Sequence, residues 1–297
     1  MNLSHLQVLV AVVENGSFSL AALKLGLSQA AVSRAIAALE EELGVSLLAR
    51  GRFGAYPTPI GERVIQHVHT ILTARSQIEA EVNAEKNLYG GRVRIASIRS
   101  IATHILPALI ARFSQQFPAV DVSLTEADPN TIEQYLREGR VDIGLMPLPR
   151  GSEDFEVWEI VQDEFVVLLP PSAHPVSDPL TWKDLEPYSF ILFNYAECTS
   201  VVRQYWQRWK QPLKVAYEIK EDSTIVSMVA QGLGAAVLPK LAAMPIPPIV
   251  QVRSLPVPLE RHIGAAILAS IWHSPTVLTF LDLLKGTGRF KTDSAVP

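Results

Sequence analysis

Residues 28–61 constrain this chain more than any other stretch; they read SQAAVSRAIAALEEELGVSLLARGRFGAYPTPIG. A serine able to cap a helix is followed by a short polar patch, an apolar stripe, a glycine stop and a hairpin rich in Arg and Gly. That order predicts a helix with one open face, then a small wing. Upstream, residues 3–14 read as a first helix with Leu6, Leu9, Val10 and Val13 on one face, ended by Asn15-Gly16. Ser17 or Ser19 can cap a second helix that runs to Leu25, and Gly26-Leu27 makes the turn. A short helix, a tight turn containing Gly and a further helix form a helix-turn-helix, here over about residues 18–37.

The third helix resolves into faces. Val32, Ile36, Leu39 and Leu43 are spaced 4, 3 and 4 apart and make one stripe to bury. Ala30, Arg34 and Ala37 lie roughly opposite, Ser33 flanks them, and Gln29 sits on the first turn after Ser28. Small alanines allow close approach to base edges. Gln can pair with adenine, Arg with guanine, and Ser with a base or a phosphate. Periodicity alone fits an ordinary surface helix of an all-α bundle equally well. Bulk charge does not favour nucleic acid: the formal net charge is −4, and residues 1–90 carry seven Lys/Arg against eight Asp/Glu. Only the distribution helps. Residues 15–39 hold Lys24 and Arg34 with no acid, and Arg50 and Arg52 follow in the hairpin.

Thr58-Pro59 opens a long helix that can reach about Lys86, before Tyr89-Gly90-Gly91. Val64, Val68, Ile71, Arg75, Ile78 and Val82 alternate spacings of 4 and 3, a seam suited to a partner helix and interrupted by Arg75. After Gly91, strand-like runs (92–98, 120–126, 141–146, 165–169, 190–193, 235–238) alternate with helical ones (101–117, 130–137, 199–210, 224–231). That alternation predicts open α/β sheets in two lobes, the first about 92–161 with 262–290, the second about 162–261. The expected organisation is thus multidomain: an all-α winged helix-turn-helix (1–58), a linker helix (59–89), and a two-lobed α/β domain (90–297).

FSLAALKLGLSQAAVSRAIAALEEELGVSLLAR resembles the winged helix-turn-helix of LysR-type transcriptional regulators. Ser28, Gln29, Val32, Ser33, Ile36, Leu39, Glu40, Leu43, Gly44 and Leu47 match its S-Q-x-x-V-S-x-x-I-x-x-L-E-x-x-L-G-x-x-L string. The chain departs from the usual pattern at Ala30, Phe53 and Pro57. Further along, 113–118, 139–144, His174-Pro175 and 231–239 fit the same family in order. The resemblance implies a DNA-binding regulator without enzyme activity or cofactor. Ser28, Gln29, Ala30, Ser33 and Arg34 would enter the major groove, and Arg50 and Arg52 would touch the backbone or minor groove. It implies a periplasmic-binding-protein-like effector domain, a homodimer paired through the linker helix into a homotetramer, and RNA polymerase as a further partner.

A ligand in such a fold sits between lobes, beyond strand ends and at helix N-termini. Four places qualify: Arg99-Ser100-Ile101, Met146 after its strand, Asn194 after Phe193, and Asp222-Ser223-Thr224 ahead of a helix. Arg99 and the helix N-termini would favour a small anion. The alternative effector chemistry is thiol oxidation at Cys198, the sole cysteine, which cannot form a disulfide within one chain and is otherwise a small packed side chain. Residues 203–210, RQYWQRWK, read as a helix docking Tyr205, Trp206 and Trp209 on its lobe. No Walker loop, G-x-G-x-x-G, G-x-S-x-G or H-E-x-x-H occurs, which argues against common enzyme classes. The start of the chain lacks a basic n-region and cleavage site, and no run of 18 apolar residues exists. Together with the single cysteine, these features predict a cytoplasmic protein without a membrane partner. The rival reading is a solute-binding protein with a helical appendage.

Overall fold

The structure, a computed structural model, describes residues 1–51, 54–85, 90–171, 177–196 and 198–287. His174 and Pro175 of the sequence motifs lie outside them. The head is built from α1 (Leu3–Asn15), α2 (Phe18–Leu25), α3 (Gln29–Leu43) and a hairpin of β1 (Leu48–Gly51) and β2 (Gly54–Pro57). Each helix starts on a polar cap: the side chains of Asn2, Ser17 and Ser28 accept from the backbone N–H groups of Ser4, Leu20 and Ala31. Leu6, Leu9, Val12, Ala21, Val32, Ile36, Leu39 and Leu47 close the core. Burying each large aliphatic among them contributes about 2 kcal/mol.

Two expectations for this core need correction. Leu43 is 39% exposed. It falls in the last turn of α3, and Leu47, beyond the glycine stop, fills the place instead. On α1 the fully buried residues include Val8, Ala11 and Val12, while Val10 and Val13 are only partly buried. The face is broader than one stripe because α1 packs on α2, α3 and the linker helix together.

The wing and linker are locked to the head by Glu40, Thr58 and Gly61. Glu40 Oε1 accepts from the N–H groups of Leu47 (2.7 Å) and Leu48 (3.0 Å). Thr58 Oγ1 donates to the Ser46 carbonyl at 2.8 Å and accepts from Gly61 N at 3.1 Å, capping α4 (Pro59–Glu85). Gly61 is required because a Cβ there would lie 2.0 Å from the Leu47 carbonyl oxygen. The expected seam on α4 is divided. Val68 is buried, and Val64 and Ile71 are partly buried, against the head's own core. Ile78 and Val82 are 63% and 44% exposed.

Beyond the linker come β3 (Gly91–Ser97), α5 (Arg99–His104), α6 (Leu106–Gln116), β4 (Val120–Glu126), α7 (Pro129–Arg137), β5 (Ile143–Leu148) and β6 (Phe155–Leu169). Then follow α8 (Trp182–Leu185), β7 (Phe190–Phe193), α9 (Cys198–Arg208), β8 (Val215–Ile219) and α10 (Asp222–Ala230). The chain continues through β9 (Ala235–Pro239), α11 (Lys240–Ala243), β10 (Gln251–Ser254), β11 (Glu260–Leu268) and α12 (Pro275–Lys285). The single helix expected over 101–117 is two. Ile105 (φ −114°, ψ −53°) breaks it, and a proline in the first turn of α6 cannot donate back across the break.

The strands run in the order β4-β3-β5-β11-β6-β9-β7-β8, with β10 also on β6. Lobe 1 holds β4, β3, β5, β11 and the first part of β6; lobe 2 holds the rest of β6 with β9, β7, β8 and β10. β6 itself crosses between lobes: Phe155 to Glu164 pair with β11, and Phe165 onward pair with β9. The return crossing lies in residues 255–259, between β10 and β11. Lobe 1 closes around Ile95, Phe113, Ile143, Ile263 and Phe280. Lobe 2 has a core on each face of its sheet, one centred on Phe190, Tyr205 and Trp206, the other on Ile191, Ile225 and Leu238. Trp209, expected to dock with its neighbours, is 39% exposed because it falls in the turn after α9.

Candidate DNA-reading surface and effector cleft

α3 presents its first two turns to solvent. Ser28, Gln29, Ala30 and Arg34 are exposed and Ser33 is half-buried, while Val32, Ile36 and Leu39 behind them are buried. The hydroxyl of Ser28 is occupied as an acceptor by the cap bond from Ala31 N, at 3.1 Å. Gln29 is held from α2: Ser19 Oγ donates to its Oε1 at 3.2 Å. Ser19 is thus no cap but an exposed neighbour of the reading face, which sequence spacing alone did not single out. The wing follows close on α3, with Arg50 on β1 opposite Ala55. Arg52 lies outside the described residues.

The second site lies between the lobes, where β3 runs into α5. Ile98, Arg99, Ser100, Phe193, Tyr195, Asp222, Ala242 and Arg261 surround a cavity of about 10 Å³. That is room for about one water at most, so the cleft is closed. Arg99 holds it shut: its Nε donates to Glu126 of lobe 1 at 3.0 Å, and Nη1 reaches Glu221 and, at 3.4 Å, Asp222 of lobe 2. Burial opposes the guanidinium charge, but the hydrogen bonds to Glu126 and Glu221 outweigh it and raise its pKa. Below it, Arg261 Nη2 donates to Ser100 Oγ (2.9 Å) and to Asp163 Oδ2 (2.7 Å). Asp163 is 3% exposed, and its other oxygen accepts from Leu241 N at 3.0 Å. Tyr195 also spans the lobes, donating to the Ala127 carbonyl at 3.2 Å. Burial first, then Asp128, pushes its phenol up to about 12.

Of the expected effector residues, the structure brings Arg99 and Ser100 to the cleft. Ile101 and Met146 are fully buried in the lobe 1 core instead. Asn194, Ser223 and Thr224 are exposed beside the cleft rather than lining it. No side chain caps α10, which starts at Asp222 itself; Asp222 Oδ1 accepts from Ser223 N. The sequence reading missed Asp163 and Arg261. They sit 98 residues apart on the two inner strands, and only the pairing of β6 with β11 joins them. Cys198 is buried at the start of α9 within the second lobe's core. Among the described residues no helix is long and apolar enough to cross a membrane.

Comparison with known proteins agrees with this layout. Residues 3–62 match the family "Bacterial regulatory helix-turn-helix protein, lysR family", and residues 86–289 match "LysR substrate binding domain". The chain is 65% identical over 287 residues to the probable HTH-type transcriptional regulator LrrA of Synechococcus elongatus, covering 97% of each. A full-length OxyR variant from Pseudomonas aeruginosa superposes with a TM-score of 0.74 at 25% identity, over 96% of this chain and 94% of that one. CbnR, a LysR family transcriptional regulator, gives 0.71 at 19% identity, over 96% and 98%. A reading head, a linker helix and a two-lobed domain, each matched by sequence and by fold, make this chain a member of the LysR family of transcriptional regulators.

Proposed function

We propose that this regulator reads a two-fold promoter site with Gln29, Ala30, Ser33 and Arg34 of two protomers, while Ser28 and the N-terminus of α3 take a phosphate. The observation that carries this reading is the division of α3 into a buried aliphatic side and an exposed polar end. Arg50 and Arg52 of the wing are assigned to the phosphate backbone or minor groove. Pairing of protomers is assigned to the far half of α4, where Ile78 and Val82 stand exposed. Two such dimers would form the tetramer, with RNA polymerase as the eventual partner on the promoter.

A small anionic effector is assigned to the interlobe cleft. Its carboxylate or phosphate competes with Glu221 and Asp222 for Arg99, and with Asp163 for Arg261. Because the cavity is closed, binding requires that the Arg99 clasp open. The ligand therefore discriminates between two lobe arrangements, which is the condition for it to shift the assembly. A thiol switch at Cys198 gains no support from its burial in the lobe 2 core. Footprinting the DNA upstream of the gene with the purified protein, with and without a panel of small carboxylates and phosphates, tests the reading. It expects a protected two-fold site whose extent changes with one class of anion. Absence of any protected site would refute it.

A further inference from the structure

The hydroxyl of Ser19 serves a neighbouring side chain rather than its own helix. Ser19 lies in the first turn of α2, but the cap there is Ser17, whose side chain accepts from Leu20 N. Ser19 Oγ instead crosses to the start of α3 and donates to Gln29 Oε1 at 3.2 Å. Both residues are exposed and lie ten positions apart in sequence. The two helix starts meet because the turn between them is tight. Gly26 closes α2 with φ +65°, and Leu27 N donates back to the Ala22 carbonyl. Ala21 and Ala22 share the head's core with Val32 and Ile36, and their small side chains let α2 lie close to α3.

That bond orders an amide. A glutamine amide carries an acceptor and two donors at the end of a flexible stem, and left free it samples both orientations of its amide plane. Adenine is read in one order only: the amide oxygen accepts from N6–H and the amide nitrogen donates to N7. The bond from Ser19 takes one lone pair of Oε1 and leaves the other, with both Nε2 N–H groups, for a base. It turns the oxygen toward α2 and the nitrogen away from it. Ordering the side chain before the duplex arrives also removes part of the rotamer entropy that binding would otherwise cost.

We propose that Ser19 is a positioning residue for DNA reading: by holding the amide of Gln29 in one orientation before binding, it makes Gln29 selective for adenine at the base pair it meets. This rests on the assignment of the exposed end of α3 to the major groove made above. It adds a residue of α2 to the specificity of that helix, and it names the base that Gln29 reads.

Fluorescence anisotropy with the full-length protein tests this, on the footprinted duplex and on duplexes in which each base pair is replaced in turn by the other three. Gln29→Ala marks the pair that Gln29 reads, as the position where discrimination collapses. Ser19→Ala keeps the Ser17 cap and places a better helix former in α2. It should lower the preference for adenine at that same position about fivefold, within the range of one bidentate contact. Discrimination at every other position and the slope of affinity against salt should be unchanged. Ser19→Thr, which keeps the hydroxyl, should restore the preference. The double variant should match Gln29→Ala alone, because Ser19 acts only through Gln29. A full adenine preference in Ser19→Ala, or a wild-type preference for another base at that position, overturns the proposal. So does a uniform loss on all duplexes with a shallower salt slope, which would make Ser19 a phosphate contact. Wild-type discrimination by Gln29→Ala at every position is a separate result: it would refute the reading of Gln29 itself, and with it the role of Ser19.

Discussion

Ser100 and Arg261 are 161 residues apart in sequence and joined by a 2.9 Å hydrogen bond across the floor of the closed cleft. Ser100 is 5% exposed. Under the proposed effector assignment, its hydroxyl is a group that the ligand replaces or shares. Ser100→Ala should leave DNA affinity within about twofold of wild type and blunt the ligand-induced change in footprint. An intact dose response in the variant would remove Ser100 from the site.

Glu40 is the single acceptor that receives both Leu47 N and Leu48 N where α3 hands over to the wing. Its removal leaves two partly buried donors without their partner. Glu40→Ala should lower the stability of the head by about 1–3 kcal/mol in urea unfolding. It should weaken DNA binding although Glu40 itself touches no base. A variant as stable as wild type would show that water replaces the carboxylate at no cost.

His69 sits on α4, in a cleft where that helix faces α1 and lobe 1. Burial first, then the nearby Arg140, lowers its pKa below the ordinary 6.5; Arg94 acts in the same direction, while Glu138 and Glu14 oppose it. The folded protein therefore favours the neutral ring, and the unfolded chain takes up the proton first as pH falls. The stability gained from this is complete above about pH 6.5 and is lost as pH drops toward the folded value. A ring titration by NMR should give a midpoint below that of free histidine, and His69→Gln should flatten the pH dependence of stability between about pH 7 and 5. A midpoint at or above the free value would contradict the assignment.

Much of the head was legible because its signals are local. Ser28 caps α3, Val32, Ile36 and Leu39 are spaced for burial, and Thr58-Pro59 opens the linker. Leu43 misled because the period continues into the last turn, where the core no longer reaches. In the lobes, Arg99 and Ser100 could be placed from a strand running into a helix. Their partners could not: Asp163 and Arg261 meet only through the pairing of β6 with β11, and Glu221, ahead of α10, reaches Arg99 only when the two lobes close. Met146 and Ile101 fell at strand and helix ends, as a ligand site would, yet their apolar side chains point into the core.

Arg34 is the only cationic side chain on α3 and stands at the exposed end proposed to read DNA. The most direct measurement is the affinity of Arg34→Ala for the wild-type footprint sequence at about 150 mM salt, followed by fluorescence anisotropy. Affinity should fall about tenfold or more, with unchanged circular dichroism and unfolding midpoint. Wild-type affinity in a correctly folded Arg34→Ala protein would contradict it.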